Sequence, residues 1–298
     1  MQTQRIFRNL IAAAGAVTIT AGATATAGVL IDDDFADGST AATGSTDSDW
    51  YNNWDNRADT NLSVSSQKLL WARDDNRSQD QRHSLWTYFT QQTLSDGDAI
   101  RAQLDLELEV RPDVDENIRF AFLNSNGSQR TSDAGGGNPP QRHDDIGVGV
   151  ALATQSSPSA SPQSSYIQEL GTRLSEQPIS RDLPDSTLDR LGSTNGFTLD
   201  SSGSEQLELV LTRSGNDLVI EFFSNGNLIN GGRTISSATN FTFDQLAFAQ
   251  SDVNGQAGSD LKLDNVVVEF VPIPEPGSAF LITAGIGVLA ARRRFRLG

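Results

Sequence analysis

The sequence predicts an all-β fold, an antiparallel sandwich of two sheets. Short runs of β-type residues recur along the chain with turn signals between them. In one run, Leu104, Leu106 and Leu108 alternate with Asp105 and Glu107, and this period of two indicates a strand with one face on a core. No long segment between the two ends of the chain has a helical period. Ten or more such runs indicate a two-sheet sandwich or jelly roll.

The chain begins with a predicted signal peptide over residues 1–27. Arg5 and Arg8 supply a positive start, and residues 10–19 form a short apolar core. Ala25 and Ala27 give the small-x-small pattern of a cleavage site, so cleavage is expected after Ala27.

The middle of the chain, residues 28–271, is expected to be a single β domain. Residues 206–213 and 217–223 are predicted to form a hairpin through the turn at 214–216. Further strands are predicted at 29–31, 68–73, 84–91, 99–110, 118–123, 146–154, 166–170, 241–249 and 261–270.

The C-terminal segment, residues 272–298, has three parts in a fixed order. Pro274, Glu275 and Pro276 form a rigid extended motif. Residues 277–291 are uncharged and mostly apolar, and would form a helix of about 22 Å against a hydrocarbon core of about 30 Å. The helix is followed by an arginine cluster whose basic side stays cytoplasmic: Arg292, Arg293, Arg294 and Arg296. A short or transient membrane anchor fits this length.

These three parts resemble the PEP-CTERM sorting signal of Gram-negative bacteria. The resemblance implies recognition by an exosortase in the inner membrane, cleavage near the motif, and delivery to the cell surface or its extracellular polysaccharide matrix. An ordinary C-terminal tail anchor is the alternative, although a plain anchor does not require a Pro-Glu-Pro motif.

The middle of the chain resembles the concanavalin-like (laminin-G-like) jelly rolls found on many PEP-CTERM proteins. The resemblance rests on four segments: 33–35, 145–150, the hairpin at 206–223, and 263–268. It implies a lectin-like jelly-roll ectodomain and says little about activity.

Composition excludes several classes of function. The formal net charge is −16, and because six arginines and no acid lie in the two terminal segments, residues 28–276 carry a net charge of −22. Such a surface repels nucleic acid and suits an exported protein. The absence of cysteine excludes disulfides, iron–sulfur clusters and thiol catalysis.

Three carboxylates on one strand, Asp105, Glu107 and Glu109, are the low-ranking catalytic candidates. Alternate residues of a strand lie about 6.6 Å apart on one face. Retaining glycosidases need two carboxyl groups about 5–5.5 Å apart, and jelly-roll glucanases carry theirs along one strand. The order Asp-Glu-Glu departs from their motif, and the solvated face of a strand in a very acidic protein is the simpler explanation.

Oxygen ligands near the two ends of the domain suggest a structural Ca²⁺ ion. Asp32, Asp33 and Asp34 leave the first strand, and Asp264 and Asn265 lie on the last strand. If the chain ends pair, these oxygens come together. Exposed acids in turns are the alternative, because no EF-hand or RTX spacing is present.

An aromatic group at Trp50, Tyr51 and Trp54 provides candidates for stacking on sugar rings. Aromatics that close the end of a sandwich are the alternative.

Three functions follow as hypotheses. The first is a non-enzymatic surface protein with a lectin-like sandwich that binds glycan. The second is a jelly-roll glycoside hydrolase, and the third is a structural matrix component without a ligand.

Overall fold

In the computed structural model, the described residues are 28–54, 61–72, 82–109, 116–129, 134–135, 145–153, 165–170, 190–194, 204–229, 232–252 and 260–272. They lie in the compact unit Thr26–Ile273. The predicted signal peptide, with Ala25 and Ala27, and the tail with Pro274, Glu275, Pro276 and the arginine cluster lie outside the described residues. The described part contains no helix with the length and apolar character that a membrane crossing needs.

Nine strands form the first sheet. They are β1 (Gly28–Asp33), β3 (Asn61–Ser65), β4 (Lys68–Ala72), β6 (Ala99–Glu109), β12 (Ser204–Ser214), β13 (Asp217–Ser224), β14 (Asn227–Leu228), β15 (Arg233–Ile235) and β17 (Asp260–Val271). The order is β14-β13-β12-β6-β17-β4-β3, with β1 beside β17 and β15 beside β13.

Eight strands form the second sheet. They are β2 (Trp50–Trp54), β5 (Arg82–Thr93), β7 (Glu116–Asn124), β8 (Ala134–Gly135), β9 (Ile146–Ala153), β10 (Ser165–Leu170), β11 (Arg190–Thr194) and β16 (Thr242–Asp252). The order is β11-β10-β9-β7-β16-β5-β2-β8. All pairs in the two sheets are antiparallel except β2 with β8.

The two sheets pack face to face and form an all-β sandwich, as predicted. One apolar core joins them: Leu104, Leu209 and Leu263 come from the first sheet, and Phe120 and Phe248 come from the second. The rings of Phe120 and Phe248 stack with centroids 5.0 Å apart. The alternation at 104–108 therefore has the predicted consequence, with the leucines buried and the acids on the outer face.

The predicted hairpin is present. β12 and β13 pair from Leu207 with Ser224 to Ser214 with Asp217. Gly215 in the turn has a φ of 64°, a left-handed conformation that glycine adopts without steric cost.

The two ends of the domain pair, which is the condition on which the calcium hypothesis depends. β1 lies beside the second half of β17, and β4 lies beside the first half. Between the halves, a bulge at Asn265 and Val266 interrupts the ladder of β17 with β6. Asn265 has a φ of 50° there.

Two glycines allow β7 and β9 to approach closely. A Cβ atom on Gly147 would lie 2.1 Å from the carbonyl oxygen of Phe122, and one on Gly149 would lie 2.7 Å from the Cβ of Ala121. Any larger side chain at either position would push the strands apart.

Candidate functional site

The outer face of the second sheet carries an aromatic group. Along β5, Leu85 and Phe89 belong to the core, so the alternating Trp86 and Tyr88 point away from it. Tyr51 of β2 lies opposite Trp86. These three side chains form a second cluster, separate from the sandwich core, that also contains Ala121, Leu123 and Ala247. We call it the outer aromatic cluster.

Tyr51 is at the centre of this cluster. Its ring centroid lies 6.1 Å from that of Trp86 and 6.3 Å from that of Tyr88, at interplanar angles of 31° and 50°. Trp86 is fully buried, whereas both tyrosines are partly exposed. The Tyr51 hydroxyl donates a hydrogen bond to Oδ2 of Asp49 at 3.2 Å. Two tyrosine rings beside an exposed carboxylate can offer a sugar both stacking and hydrogen bonding.

Only one of the three aromatic residues singled out in the sequence belongs to this cluster. Trp50 is 3% exposed and faces the core, where it contacts Phe35 and Phe248. Its place in the core corrects the prediction that it stacks on sugar, because no ring face is free. The side chain of Trp54 lies outside the described residues.

Trp86 and Tyr88 were not among the sequence candidates. Both lie in the predicted strand at 84–91, where they alternate with Leu85 and Phe89. The sequence did contain a signal for them. This strand has large apolar residues on both faces, and because only one face can pack on the core, the residues of the other face must form a separate cluster.

A buried carboxyl group supports β2 from the inner side. Asp33 is 3% exposed, and its Oδ2 accepts a hydrogen bond from Nε1 of Trp50 at 2.8 Å. Its Oδ1 accepts one from the backbone N–H of Phe35 at 3.0 Å. Burial raises the pKa of Asp33 to about 6; these two hydrogen bonds oppose the rise, and the neighbouring carboxyl group of Asp47 adds to it.

The four aspartates proposed as calcium ligands do not form one site. Asp32 is exposed and Asp33 is buried, on opposite faces of β1. Oδ1 of Asp34 accepts from the N–H of Ala36, and Oδ1 of Asp264 accepts from the N–H of Asn265. Among the described residues, no group of three acidic or histidine side chains is arranged to hold a metal ion. The residues therefore do not fit the expected Ca²⁺ site.

The predicted row of carboxylates lies on the outer face of the first sheet. Oε2 of Glu107 lies 2.8 Å from Nζ of Lys68, and Oε1 lies 2.6 Å from Nζ of Lys262. These are the two lysines of the chain. Hydrogen bonds from Lys262 and then Lys68 lower the pKa of Glu107 to about 2. Oδ2 of Asp105 accepts from Nδ2 of Asn265 at 2.8 Å, and the side chain of Glu109 lies outside the described residues.

The same face carries a second charged group, formed around Arg101. Its guanidinium pairs with Glu269 of β17 and, at 3.6 Å, with Glu208 of β12. Glu107 and Arg101 therefore each pair with opposite charges on neighbouring strands, an arrangement that stabilises a sheet.

Comparisons with known proteins bear on the fold. No protein-family model and no curated protein matches the sequence. An endo-1,3-β-glucanase from Streptomyces sioyaensis matches with a TM-score of 0.50 at 12% identity, over 85% of this chain and 100% of the enzyme. The exoplasmic/lumenal domain of VIP36, bound to Ca²⁺ and Man3GlcNAc, matches with a TM-score of 0.44 at 15% identity, over 74% of this chain and 86% of the domain.

A sialidase also matches, with a TM-score of 0.44 at 12% identity over 82% of this chain. The chain spans only 19% of the length of the sialidase. At such identities the glucanase match shows a shared fold and not a shared activity. The protein therefore shares its β-sandwich fold with the glucanase.

Proposed function

We propose that this protein is a non-enzymatic surface protein whose β-sandwich binds glycan through the outer aromatic cluster. The single observation that carries the proposal is the placement of Tyr51 and Tyr88, with rings 6.3 Å apart and partly exposed on an outer sheet face. Tyrosine rings stack on the apolar faces of sugars, and the exposed Asp49 beside Tyr51 can accept bonds from sugar hydroxyls.

The cluster is also held firmly, as a binding site requires. Trp86 is buried and its ring lies 6.1 Å from that of Tyr51, and on the inner side of β2 the indole of Trp50 is hydrogen-bonded to Asp33. Tyr51 follows Trp50 directly in the chain, so fixing one residue also limits the movement of the other.

Delivery to the surface is the second part of the proposal. The tail with Pro274, Glu275 and Pro276 would be recognised by an exosortase during a transient stay in the inner membrane. The destination would be the cell surface or the extracellular polysaccharide of a Gram-negative bacterium.

A glycoside hydrolase that uses Asp105, Glu107 and Glu109 is the alternative. The fold that this protein shares with the glucanase is compatible with such an activity. Glu107, however, forms ion pairs with both lysines, and its lowered pKa keeps it ionised at neutral pH. A general acid needs a raised pKa. The lowered pKa therefore favours a role for Glu107 in ion pairs that stabilise the sheet and not a role as a catalytic group.

Binding to polysaccharide isolated from the extracellular matrix of the cells that produce the protein tests the proposal that it binds glycan. We expect the full-length protein to be retained on this material without releasing reducing ends. Release of reducing ends, lost in a Glu107→Gln variant, would establish the hydrolase. If the protein is neither retained on the polysaccharide nor able to cleave it, the remaining hypothesis is a structural matrix component without a ligand.

Intact mass and cell fractionation test the delivery part. The wild-type protein should lose both terminal segments and reach the surface. A variant with alanine at positions 274, 275 and 276 should keep its tail and stay in the inner membrane. If both proteins keep the tail and fractionate alike, the motif is not used and the protein is an ordinary tail-anchored one.

A further inference from the structure

The loop over residues 36–49, which joins β1 to β2, is fixed to the sandwich near both of its ends. The backbone N–H of Asp32 donates a hydrogen bond to the carbonyl oxygen of Thr46 at 2.9 Å. The N–H of Trp50 donates one to the carbonyl oxygen of Thr40 at 2.8 Å. No apolar side chain of this loop is buried, so hydrogen bonds hold it in place.

The last residues of the loop contact both tyrosines of the outer aromatic cluster. Oγ of Ser48 donates to the carbonyl oxygen of Tyr88 at 3.0 Å, and Oδ2 of Asp49 accepts from the hydroxyl of Tyr51 at 3.2 Å. A change in the position of the loop would therefore change the surroundings of both tyrosines.

Asp47 connects the loop to β1 through a pair of carboxyl groups. The side chains of Asp47 and Asp33 are hydrogen-bonded to each other. Oδ2 of Asp47 also accepts a hydrogen bond from the backbone N–H of Thr43 at 2.9 Å, and the Thr43 hydroxyl lies 2.8 Å from the same oxygen. Two carboxyl groups can form a hydrogen bond with each other only when one of them is protonated, because an ionised carboxylate has no donor.

Asp33 is the member of the pair that carries the proton. It is 3% exposed, and burial raises its pKa to about 6. Asp47 is half-buried; burial raises its pKa, but the hydrogen bonds from Thr43, Ser48 and Asp33 outweigh this effect, so that its pKa is lowered. The protonated carboxyl group of Asp33 therefore donates to the carboxylate of Asp47.

No positive charge offsets the two carboxyl groups. In the part of the chain that the structure describes, no basic side chain forms an ion pair with Asp33 or Asp47. From β2, the neutral indole of Trp50 donates to Asp33. When Asp33 loses its proton to the solvent, two carboxylates face each other and repel. The other acidic residues of this part of the chain are exposed: Asp32, Asp34, Asp37 and Asp49.

We propose that Asp33 and Asp47 form a proton-operated latch, which holds the loop 36–49 on the sandwich while the two carboxyl groups share a proton and releases it when both are ionised. Release would free Ser48 and Asp49 beside the tyrosines, so the outer aromatic cluster would respond to pH. The latch follows from the carboxyl pair alone. Its effect on glycan binding rests on the proposed function, because it needs a ligand on that cluster.

The closed loop is the protonated form, and this sets the direction of the effect. The preference for the closed form is fully present below pH 3.8 and is lost as the pH rises through 6. With the pKa of an ordinary aspartate in the open form, the opening equilibrium constant should rise about tenfold between pH 5 and 7.5.

Hydrogen exchange of the full-length protein measures this opening. The reporters are the backbone N–H groups of Thr43 and Trp50, which are hydrogen-bonded in the closed loop. Rates are corrected for the intrinsic pH dependence of exchange, and EDTA is present so that no metal ion takes the place of the proton. The N–H of Gly215 is the internal control, because it also donates to a carboxylate, that of the exposed Asp96, at 2.6 Å.

Three variants assign the response to the carboxyl pair. Asp33→Asn keeps the size of the side chain and is neutral at every pH, so the corrected exchange of the loop should no longer vary with pH. Asp34→Asn changes the exposed carboxyl group next in the chain and should keep the tenfold rise. Asp47→Asn removes the repelling partner and should reduce the rise, which keeps the test decisive if Asp33→Asn does not fold.

Two results would overturn the latch. One is loop exchange in the wild type that does not rise relative to that of Gly215. The other is a rise that persists at full size in Asp33→Asn or in Asp47→Asn.

A second readout tests the link to glycan binding. The probes are the neutral hexasaccharides laminarihexaose, cellohexaose and mannohexaose, because their charge does not change with pH and the net charge of −22 over residues 28–276 would repel acidic sugars. At about ten times its Kd, a probe that needs the closed loop should lower the opening constant at pH 7.5 about tenfold.

The outcomes with the probes separate the latch from the proposed function. If a probe binds and leaves the exchange of the loop unchanged, the link between latch and site is wrong and the latch stands. If no probe binds, the proposed function fails on these ligands, and the exchange data alone decide on the latch.

Discussion

Nε1 of Trp50 donates a hydrogen bond to Oδ2 of Asp33 at 2.8 Å, and this bond joins a strand of each sheet. Trp50 lies on β2 of the second sheet and Asp33 on β1 of the first. Both side chains are buried, and the ring of Phe35 lies 5.9 Å from that of Trp50. A charged carboxylate in this place is costly, which makes the stability of the sandwich depend on pH.

The first prediction concerns this pH dependence. The pKa of Asp33 is about 6 in the folded protein, against 3.8 for an ordinary aspartate, so folding favours the protonated form. Its contribution is fully present below pH 3.8 and is lost as the pH rises through 6. The loss amounts to about 3 kcal/mol. About half of this loss falls above pH 5, so urea unfolding between pH 5 and 7.5 should show the free energy of unfolding falling by about 1.5 kcal/mol.

Substitution of a neighbouring residue tests whether Asp33, and not another titrating group, causes this pH dependence of stability. Asp47→Asn removes the carboxyl group that adds to the raised pKa, so the fall with pH should become smaller. Asp34→Asn is the matched control, because Asp34 is an exposed carboxyl next to Asp33 in the chain and an amide can keep its bond to Ala36. An equal slope in the wild type and Asp47→Asn would contradict this account.

The second prediction concerns the ion pairs of Glu107. Glu107→Gln should lower the free energy of unfolding by about 1 kcal/mol or less, because the side chain is 34% exposed and solvent screens the charges. The contribution should be present above pH 4.5, be lost as the pH falls through 2, and shrink in high salt. A double-mutant cycle with Lys262→Met measures the coupling. A loss well above 1 kcal/mol that salt does not reduce would be inconsistent with a surface ion pair.

The third prediction concerns the close approach of β7 and β9. Gly147→Ala would place a Cβ atom 2.1 Å from a backbone oxygen, so the strands must separate. We expect a loss of about 1–3 kcal/mol or more in urea unfolding. Gly44→Ala is the control, since its Cβ would meet only ordinary contact at 3.6 Å from Asp47. Similar stabilities for the two variants would show that β7 and β9 do not approach each other this closely.

The fourth prediction concerns Arg213, which connects the β12–β13 hairpin to the other sheet. Its Nη1 donates to the carbonyl of Leu94 at 2.8 Å, its Nε donates to that of Gly215 at 2.9 Å, and its guanidinium lies 4.2 Å from the ring centre of Phe241. Arg213→Ala should cost about 1–3 kcal/mol in urea unfolding. Arg213→Lys should recover part of it, and no loss in either variant would contradict a connecting role.

The sequence predicted the strands better than it predicted the site. Period two alone shows that Leu104 and Glu107 lie on opposite faces of β6, and burial of the leucine follows. The order of the strands is not contained in that pattern. The lysines that bind Glu107 are 39 and 155 residues away in the chain, and they meet it only because β17 lies beside both β6 and β4.

The aromatic residues show the same limit. Trp50 and Tyr51 are adjacent in one strand, so they must point to opposite faces, but the sequence does not tell which face meets the core. The pairing of β2 with β5 decides this, since it places Trp50 opposite Thr87 and Tyr51 opposite Trp86. The sugar-stacking hypothesis therefore moves from Trp50 to Tyr51 and Tyr88.

The most direct measurement of the central claim is the affinity of tyrosine variants for a neutral glycan. Tyr51→Ala and Tyr88→Ala should each weaken binding of a neutral hexasaccharide by up to about tenfold, since one stacked ring contributes about 0.5–1.5 kcal/mol. Phe223→Ala, which removes a partly exposed ring from the outer face of the first sheet, should bind like the wild type. Equal affinities for all four folded proteins would contradict glycan binding at the outer aromatic cluster.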